Sequence, residues 1–333
     1  MSKSLSFIIP VYNRPEEIRE LLASFEEQSY TVDYEIVIVE DGSQFTAEDE
    51  VKVFSRLPIS YYFKENSGPG DSRNYGMQRA KGDYFIILDS DCILPPHYIE
   101  AVQKNLQEKP IDFFGGADAA HANFSDLQKA INYSMTSFLT TGGIRGSDRG
   151  RKDFQPRSFN MGLSKEAFLA SGGFGDIHPG EDPDLTLRLW KLGFRSRFMP
   201  EAFVYHKRRI SWGLFYKQVR KFGLVRPILN KWHPASVKIT YWFPSLFVLG
   251  VLVAFVLLFA GVALPFLVLT FYLIVVCMDA SVREKSFKIG IMAVLATAVQ
   301  FIGYGFAFLE STVAVRWLKQ LPRKRYPQLF FDK

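Results

Sequence analysis

Two acidic pairs and one glycine-rich turn are the parts of this sequence whose residue types and spacing suit chemistry. Asp89-Ser90-Asp91 sets two carboxylates two residues apart, directly after the apolar run Tyr84–Leu88 (YFIIL). From a strand end both can reach one hard cation, and the small Ser90 leaves room for a diphosphate. A divalent ion held there would bridge phosphate oxygens and stabilise a diphosphate leaving group; the plain alternative is a solvated turn. Asn66–Asn74 (NSGPGDSRN) runs into a helix, so Gly68 and Gly70 permit close backbone approach and the helix start favours phosphate. Arg73 is placed either to pair with that diphosphate or to support the two aspartates. The loop spacing matches neither a Walker A loop nor a dinucleotide fingerprint. Gly180-Glu181-Asp182-Pro183-Asp184 reads as a helix start, with proline at a first helical position and acids matched to the helix dipole.

Strands and helices alternate ahead of and around these groups. Leu5–Val11 (LSFIIPV), Glu35–Glu40 (EIVIVE), Ile59–Phe63 and Tyr84–Leu88 are short apolar runs rich in β-branched and aromatic residues, and predict buried strands. Pro15-Glu16-Glu17 opens a helix through about Gln28. This alternation predicts an α/β fold with a mostly parallel central sheet and ligands at the strands' C-terminal ends. Tyr12-Asn13-Arg14, Glu40-Asp41-Gly42-Ser43 and Asp89-Ser90-Asp91 all follow such ends, which gathers three polar clusters at one sheet edge.

In this order, FIIPVYNR, IVIVEDGS, NSGPGDSRNYGMQRAKGDYFIILDSD and GEDPDLTLRLWKLG resemble a family 2 glycosyltransferase of the GT-A fold, over about residues 4–206. The resemblance implies a nucleotide-sugar-binding domain in which Pro10, Tyr12 and Arg14 border the base. Asp41 accepts a hydrogen bond from uracil or ribose, and Arg73, Asn74 and Asp89 join the nucleotide site. Asp89 and Asp91 imply a divalent metal, Mn2+ or Mg2+. Asp182 matches the family's catalytic base, with Glu181 the second choice. An acceptor hydroxyl attacking an anomeric carbon needs such a proton acceptor. His206, after the short run Phe203–Tyr205, is either a third metal ligand or a surface residue beside Lys207-Arg208-Arg209. Gly142–Arg157 is expected to be a mobile loop over the acceptor side. Glu40 departs from the family's usual aspartate. Gln218-Val219-Arg220-Lys221-Phe222 stands where processive members have Gln-x-x-Arg-Trp, so a polymerising synthase is not expected.

The overall charge of +6 hides a segregation. Residues 1–206 hold 22 Lys/Arg against 30 Asp/Glu, whereas residues 207–238 hold nine basic residues and no acid. Residues 239–278 and 289–309 are uncharged runs of 40 and 21, and about 20 apolar residues span a bilayer core of about 30 Å. The expected organisation is therefore a GT-A catalytic domain (1–206), a basic amphipathic interfacial segment (207–238), and a transmembrane region (239–309). A basic tail (310–333) follows. Three spans are expected, at about 241–260, 264–279 and 289–309, with glycines 290, 303 and 305 allowing a bend in the third. Three spans would put the tail outside, although Arg323-Lys324-Arg325 favours the inside. The basic segment points to anionic headgroups and not to nucleic acid. Two cysteines make no disulfide framework.

The expected protein is thus a multi-pass membrane enzyme with its catalytic domain on the cytoplasmic face, in a bacterial inner membrane. Its expected activity is inverting transfer of a single sugar from a nucleotide-sugar, first a UDP-sugar, to a hydroxyl of a lipid-linked or cell-envelope glycan. The alternatives are a polyprenyl-phosphate glycosyl synthase with a phosphate acceptor and a non-catalytic nucleotide-binding membrane protein. A nucleotidyltransferase would need a glycine-rich turn after the first strand, where this chain has Asn13-Arg14-Pro15.

Overall fold

The computed structural model describes residues 3–29, 33–119, 124–142, 154–206 and 211–331. The chain forms two compact units: Met1–His121 with Asp148–His206 and Phe330–Lys333, and Ala122–Ser147 with Lys207–Leu329. The first unit thus takes in residues from far beyond position 206.

That unit is an eight-stranded sheet flanked by helices. In chain order it comprises β1 (Leu5–Val11), α1 (Pro15–Glu26), β2 (Tyr34–Asp41), α2 (Glu48–Val53), β3 (Ile59–Lys64), α3 (Pro69–Arg79), β4 (Tyr84–Leu88), β5 (Cys92–Ile93), α4 (Tyr98–Glu108) and β6 (Phe113–Ala119). After α5 (Asp126–Thr136) and α6 (Phe138–Thr141), which belong to the second unit, come β7 (Asn160–Ser164), α7 (Lys165–Ser171), α8 (Glu181–Lys191) and β8 (Ser196–His206). The strand order is β3-β2-β1-β4-β7-β6-β8-β5. β1 to β4 run parallel, β6 and β8 are parallel, and β7 and β5 are inserted antiparallel.

The central strands are buried on both faces, which explains their nearly continuous apolar sequences. Phe7, Ile9, Ile36, Ile38, Ile86 and Leu88 pack on one face with α1 and α4 residues such as Leu21 and Ile99. Ile8, Val37, Val39, Phe85 and Ile87 pack on the other with Met77, Phe168, Leu185 and Leu189 from α3, α7 and α8. Period-two alternation assigns each residue its face. Helix α1 begins at the expected proline and ends at Glu26, two residues before the expected limit.

The second unit adds α9 (Trp212–Trp232), α10 (Phe243–Phe259), α11 (Leu264–Glu284), α12 (Phe287–Ser311), a π-helical turn (Thr312–Trp317) and α13 (Pro322–Arg325). Residues 239–259, 264–284 and 287–317 are each long and apolar enough to cross a membrane. Helix α12 is the axis of this unit. Its Ala293 and Ile289 pack with Ala130 and Tyr133 of α5 and with Val276 and Ala280 of α11, and its Ala296 packs with Phe215 and Val219 of α9. The three glycines expected to permit a bend serve close packing. α12 is continuous, and a methyl at Gly290, Gly303 or Gly305 would meet Cys277 O of α11, Val219 of α9 or Pro244 O of α10 within 2.8 Å. Ion pairs Lys288–Asp126 and Arg220–Glu310, at 2.8 and 2.9 Å, tie α12 to α5 and α9 near its two ends.

Candidate active site

The C-terminal ends of β1, β2 and β4 and the N-termini of α3 and α8 bring most of the expected residues into the first unit's polar edge. The centre of the arrangement is Arg73, on the first turns of α3 and 3% exposed. One guanidinium nitrogen lies 2.8 Å from Asp89 Oδ1 and the other 3.2 Å from Glu181 Oε1. The ring of Phe174 stands 5.3 Å from the guanidinium carbon. Of the residues the sequence marks out, Arg73 contacts Asp89 and Glu181. Burial works against its charge, but Asp89, Glu181 and Asp182 outweigh this and hold its pKa above the ordinary value.

Glu181 and Asp182 open α8, behind Gly180 at a positive φ of 121°. Glu181 is buried and Asp182 half-buried, yet their environments pull them apart. Burial alone would raise Glu181, but His178, with Nδ1 2.9 Å from Glu181 Oε1, and Arg73 together lower it. Asp182 is pushed up to about 6, first by burial and then by its neighbour Glu181. Its Oδ1 is buried with no hydrogen-bond partner among the described residues. Two adjacent carboxyls whose pKa values diverge are the arrangement that separates a structural anion from a proton acceptor. Asp184, one turn on, holds Arg188, whose guanidinium also donates to the Ser171 and Gly173 carbonyls.

Asp89 and Asp91 stand at the end of β4, both part-exposed, at 32% and 16% of their side chains. Arg14 approaches Asp91 at 3.7 Å while pairing with Glu17 at 2.6 Å. The donor set is two hard carboxylates, Asp89 the more exposed, with two arginines balancing their charge, which suits a divalent cation. No group of three His, Cys, Asp or Glu side chains arranged for a metal occurs among the described residues. β5 pairs with β8 so that Cys92 stands opposite His206, bringing that strand end beside Asp91. The His206 side chain lies outside the described residues, as do Lys207–Ile210 and most of the Gly142–Arg157 loop.

The nucleotide-side residues divide. Tyr12 is 51% exposed at the edge, next to Pro10, which is half-buried. Asp41 is buried, and both its oxygens are engaged: Oδ1 by Lys64 at 2.5 Å and by the Ser67 N–H at 3.0 Å, Oδ2 by the Gly68 N–H at 3.0 Å. It therefore braces the glycine-rich loop. Glu40 explains the departure from aspartate. Its longer arm accepts from Ser43, from the Ala47 N–H at 2.8 Å and from Tyr61 at 2.9 Å, ordering the turn behind Asp41. Asn74 is turned away from the loop. It exchanges two hydrogen bonds with the Phe174 backbone, at 2.9 and 2.8 Å, and clamps the turn before α8.

Sequence reasoning missed His178 and Lys64. The signal for His178 was its place three residues before Glu181 in the His-Pro-Gly-Glu run at a helix start. Lys64 carried no signal, because its partner Asp41 lies on the neighbouring strand.

Residues 6–168 match the family model described as "Glycosyl transferase family 2". The chain is 31% identical to glycosyltransferase GlyG of Streptococcus pneumoniae over 221 residues, covering 63% of this chain and 72% of that one. It is 38% identical to an uncharacterized glycosyltransferase of Rickettsia felis over 128 residues, 37% of this chain and 21% of that one. The chain spans between 18% and 31% of the length of this protein and three other Rickettsia relatives. In fold it is similar to the mannosyltransferase PcManGT of Pyrobaculum calidifontis in complex with GDP-Man and Mn2+. The TM-score is 0.57 at 16% identity, covering 89% of this chain and 87% of that one.

Proposed function

The chain belongs to glycosyltransferase family 2, and on that premise we propose that it moves a single sugar, with inversion, from a nucleotide-sugar to an acceptor hydroxyl at a membrane surface. The observation that carries this reading is the buried Asp182 oxygen without a hydrogen-bond partner, beside a Glu181 held ionised by Arg73 and His178. A phosphate acceptor is already ionised near neutral pH and would need no such base. A UDP-sugar is the first donor to test and a lipid-linked or cell-envelope glycan the first acceptor.

Asp89 and Asp91 would hold a divalent metal, Mn2+ or Mg2+, and when bound it would neutralise charge on the leaving diphosphate. The protein's own groups do the rest. Asp41 and Lys64 hold the Ser67–Gly68 backbone in the shape that approaches the phosphates. Arg73 fixes the Asp89 carboxylate relative to Glu181, so donor side and base side share one rigid cation. The acceptor oxygen bonds to the anomeric carbon as the bond from that carbon to the diphosphate oxygen breaks, and the hydroxyl proton passes to Asp182. Tyr12, exposed at the strand edge, offers a face for the base.

The test is nucleotide release from a panel of UDP- and GDP-sugars with Mn2+ or Mg2+. Asp182→Asn is expected to lose about 10²–10⁴ in kcat, and Asp91→Ala to lose its response to added metal. Full turnover in Asp182→Asn would overturn its role as base, and full turnover in Asp91→Ala its role at the metal.

The catalytic unit is read as facing the cytoplasm, and the anchor as two complete crossings, α10 and α11, in place of three. One support is that Phe330 pairs with Ile177 inside the first unit, so the chain is back there after leaving it at His206. The other is α12, which is far more buried than α10 and α11. It lies along α5 and α9, and α9 carries Lys217, Arg220, Lys221 and Arg226, which are costly in hydrocarbon.

A further inference from the structure

Residues Phe330 and Phe331 rejoin the catalytic unit at a particular place. Phe330 forms an antiparallel bridge with the buried Ile177, and the Phe331 N–H donates to Asp176 O at 3.0 Å. The Phe331 ring then lies flat on Gly68. A methyl group at Gly68 would fall 2.3 Å from ring carbon Cδ2, and the backbone there has φ +92°. The same ring stands 6.1 Å from that of His178, the residue hydrogen-bonded to Glu181. One aromatic side chain thus touches the glycine-rich loop, while its own backbone is fastened to the turn that leads into Glu181 and Asp182.

The neighbouring stretches of chain also meet at two further points among the described residues. Asn74 clamps Phe174, and a methyl at Gly70 would strike Gly175 O at 2.7 Å. Phe331 adds a contact at Gly68, whose N–H donates to Asp41 Oδ2 at 3.0 Å. The absence of a side chain at Gly68 is what lets the ring sit so close.

We propose that Phe331 is a positioning residue of the transferase. It staples the loop Asn66–Gly70 to the turn Asp176–Gly180, setting the donor's diphosphate at a fixed distance from the base. The functional half of this role rests on the donor reading under Proposed function, and the structural half on backbone contacts alone. Phe331 touches no reacting atom; it acts through Gly68 and Asp176. Losing it would free the loop to sample arrangements that do not bind the diphosphate, and affinity falls in proportion to the competent fraction.

The experiment uses the full chain in lipid nanodiscs, as wild type, Phe331→Ala and Phe331→Tyr, with two readouts. Amide hydrogen exchange without nucleotide is expected to quicken in Phe331→Ala at both Ser67–Gly70 and Asp176–Gly180, and to return to wild type in Phe331→Tyr. UDP and GDP, each with Mn2+, are expected to bind Phe331→Ala about tenfold more weakly. Donor KM should rise by a similar factor while kcat changes about threefold or less. A variant with a lower melting temperature but unchanged exchange at those two segments and unchanged KM would overturn the proposal. Failure of wild type to bind either nucleotide would sink the donor reading but leave the exchange result to decide the staple. Should Phe331→Ala not fold, Phe331→Leu keeps an apolar side chain without the flat ring, and the same two shifts decide.

Discussion

Replacing Arg73 with methionine keeps the side-chain length and removes the charge that joins Asp89 to Glu181. The cost follows from where each partner sits. Asp89 is about a third exposed, so its half of the bridge is screened and contributes about 1 kcal/mol or less. Glu181 and Arg73 are nearly fully buried, and breaking such a pair by removing one member costs about 3–5 kcal/mol. His178 remains beside Glu181, which places the expected loss near the lower bound, about 3 kcal/mol. For a unit of this size that is a fall of roughly 6–12 °C in the melting temperature, measurable by thermal shift on the full chain in detergent. The pH dependence has a definite sign. Glu181 is lowered in the folded state, so its contribution is present above the unfolded carboxyl value, about 4.3, and is lost as pH falls through the folded value. The gap between wild type and Arg73→Met should be full at pH 7 and narrow below about pH 4.3, where Glu181 in the variant takes up a proton. Arg73→Lys should recover only part of the loss, because one ammonium does not reach both carboxylates in the geometry of the guanidinium fork. A melting temperature within about 2 °C of wild type, or a gap that does not change with pH, would refute the reasoning.

Two further outcomes are expected. As the group that must be ionised to accept a proton, Asp182 gives kcat/KM an acid limb falling tenfold per pH unit below about 6, and Glu181→Gln should move that limb to lower pH by removing the neighbouring charge; a flat profile between pH 5 and 7 would contradict this. Single cysteines introduced at Val262 and at Lys285 should label from opposite faces of inside-out vesicles, whereas one at Gln328 should label from the same face as Lys285; labelling of Gln328 from the Val262 side would restore three crossings.

Much of the sheet and of its polar edge was legible in the sequence, because β1, β2 and β4 are buried on both faces and so carry unbroken apolar runs that end in acid or amide. The fold class followed from their alternation with helices. β6 was hidden by its glycines, and β7 by its short Asn-Met-Gly-Leu-Ser sequence, since neither alternates strongly enough to announce a strand. The start of α8 was legible from Gly180 and Pro183, but the tie between Arg73 and Glu181 was not: 108 residues separate them, and local periodicity reports burial without naming the partner. Asn74 illustrates the same limit. Its amide is a plausible phosphate ligand in the glycine-rich loop, yet a distant backbone at Phe174 uses both its donor and its acceptor.

The bridge between Phe330 and Ile177 also bears on when the enzyme becomes active during its manufacture. Chains fold from the N-terminal side as they are synthesised, so the sheet and the Glu181–Asp182 helix can form while α10 to α12 are still being made. Phe331 emerges only after all of those helices, and with it the last contact on the Gly68 loop. A nascent catalytic unit that still lacks Phe331 would, on the proposal above, hold its donor about tenfold more weakly. On the proposal above, the order of the segments along the chain delays full donor affinity until the membrane helices have been made.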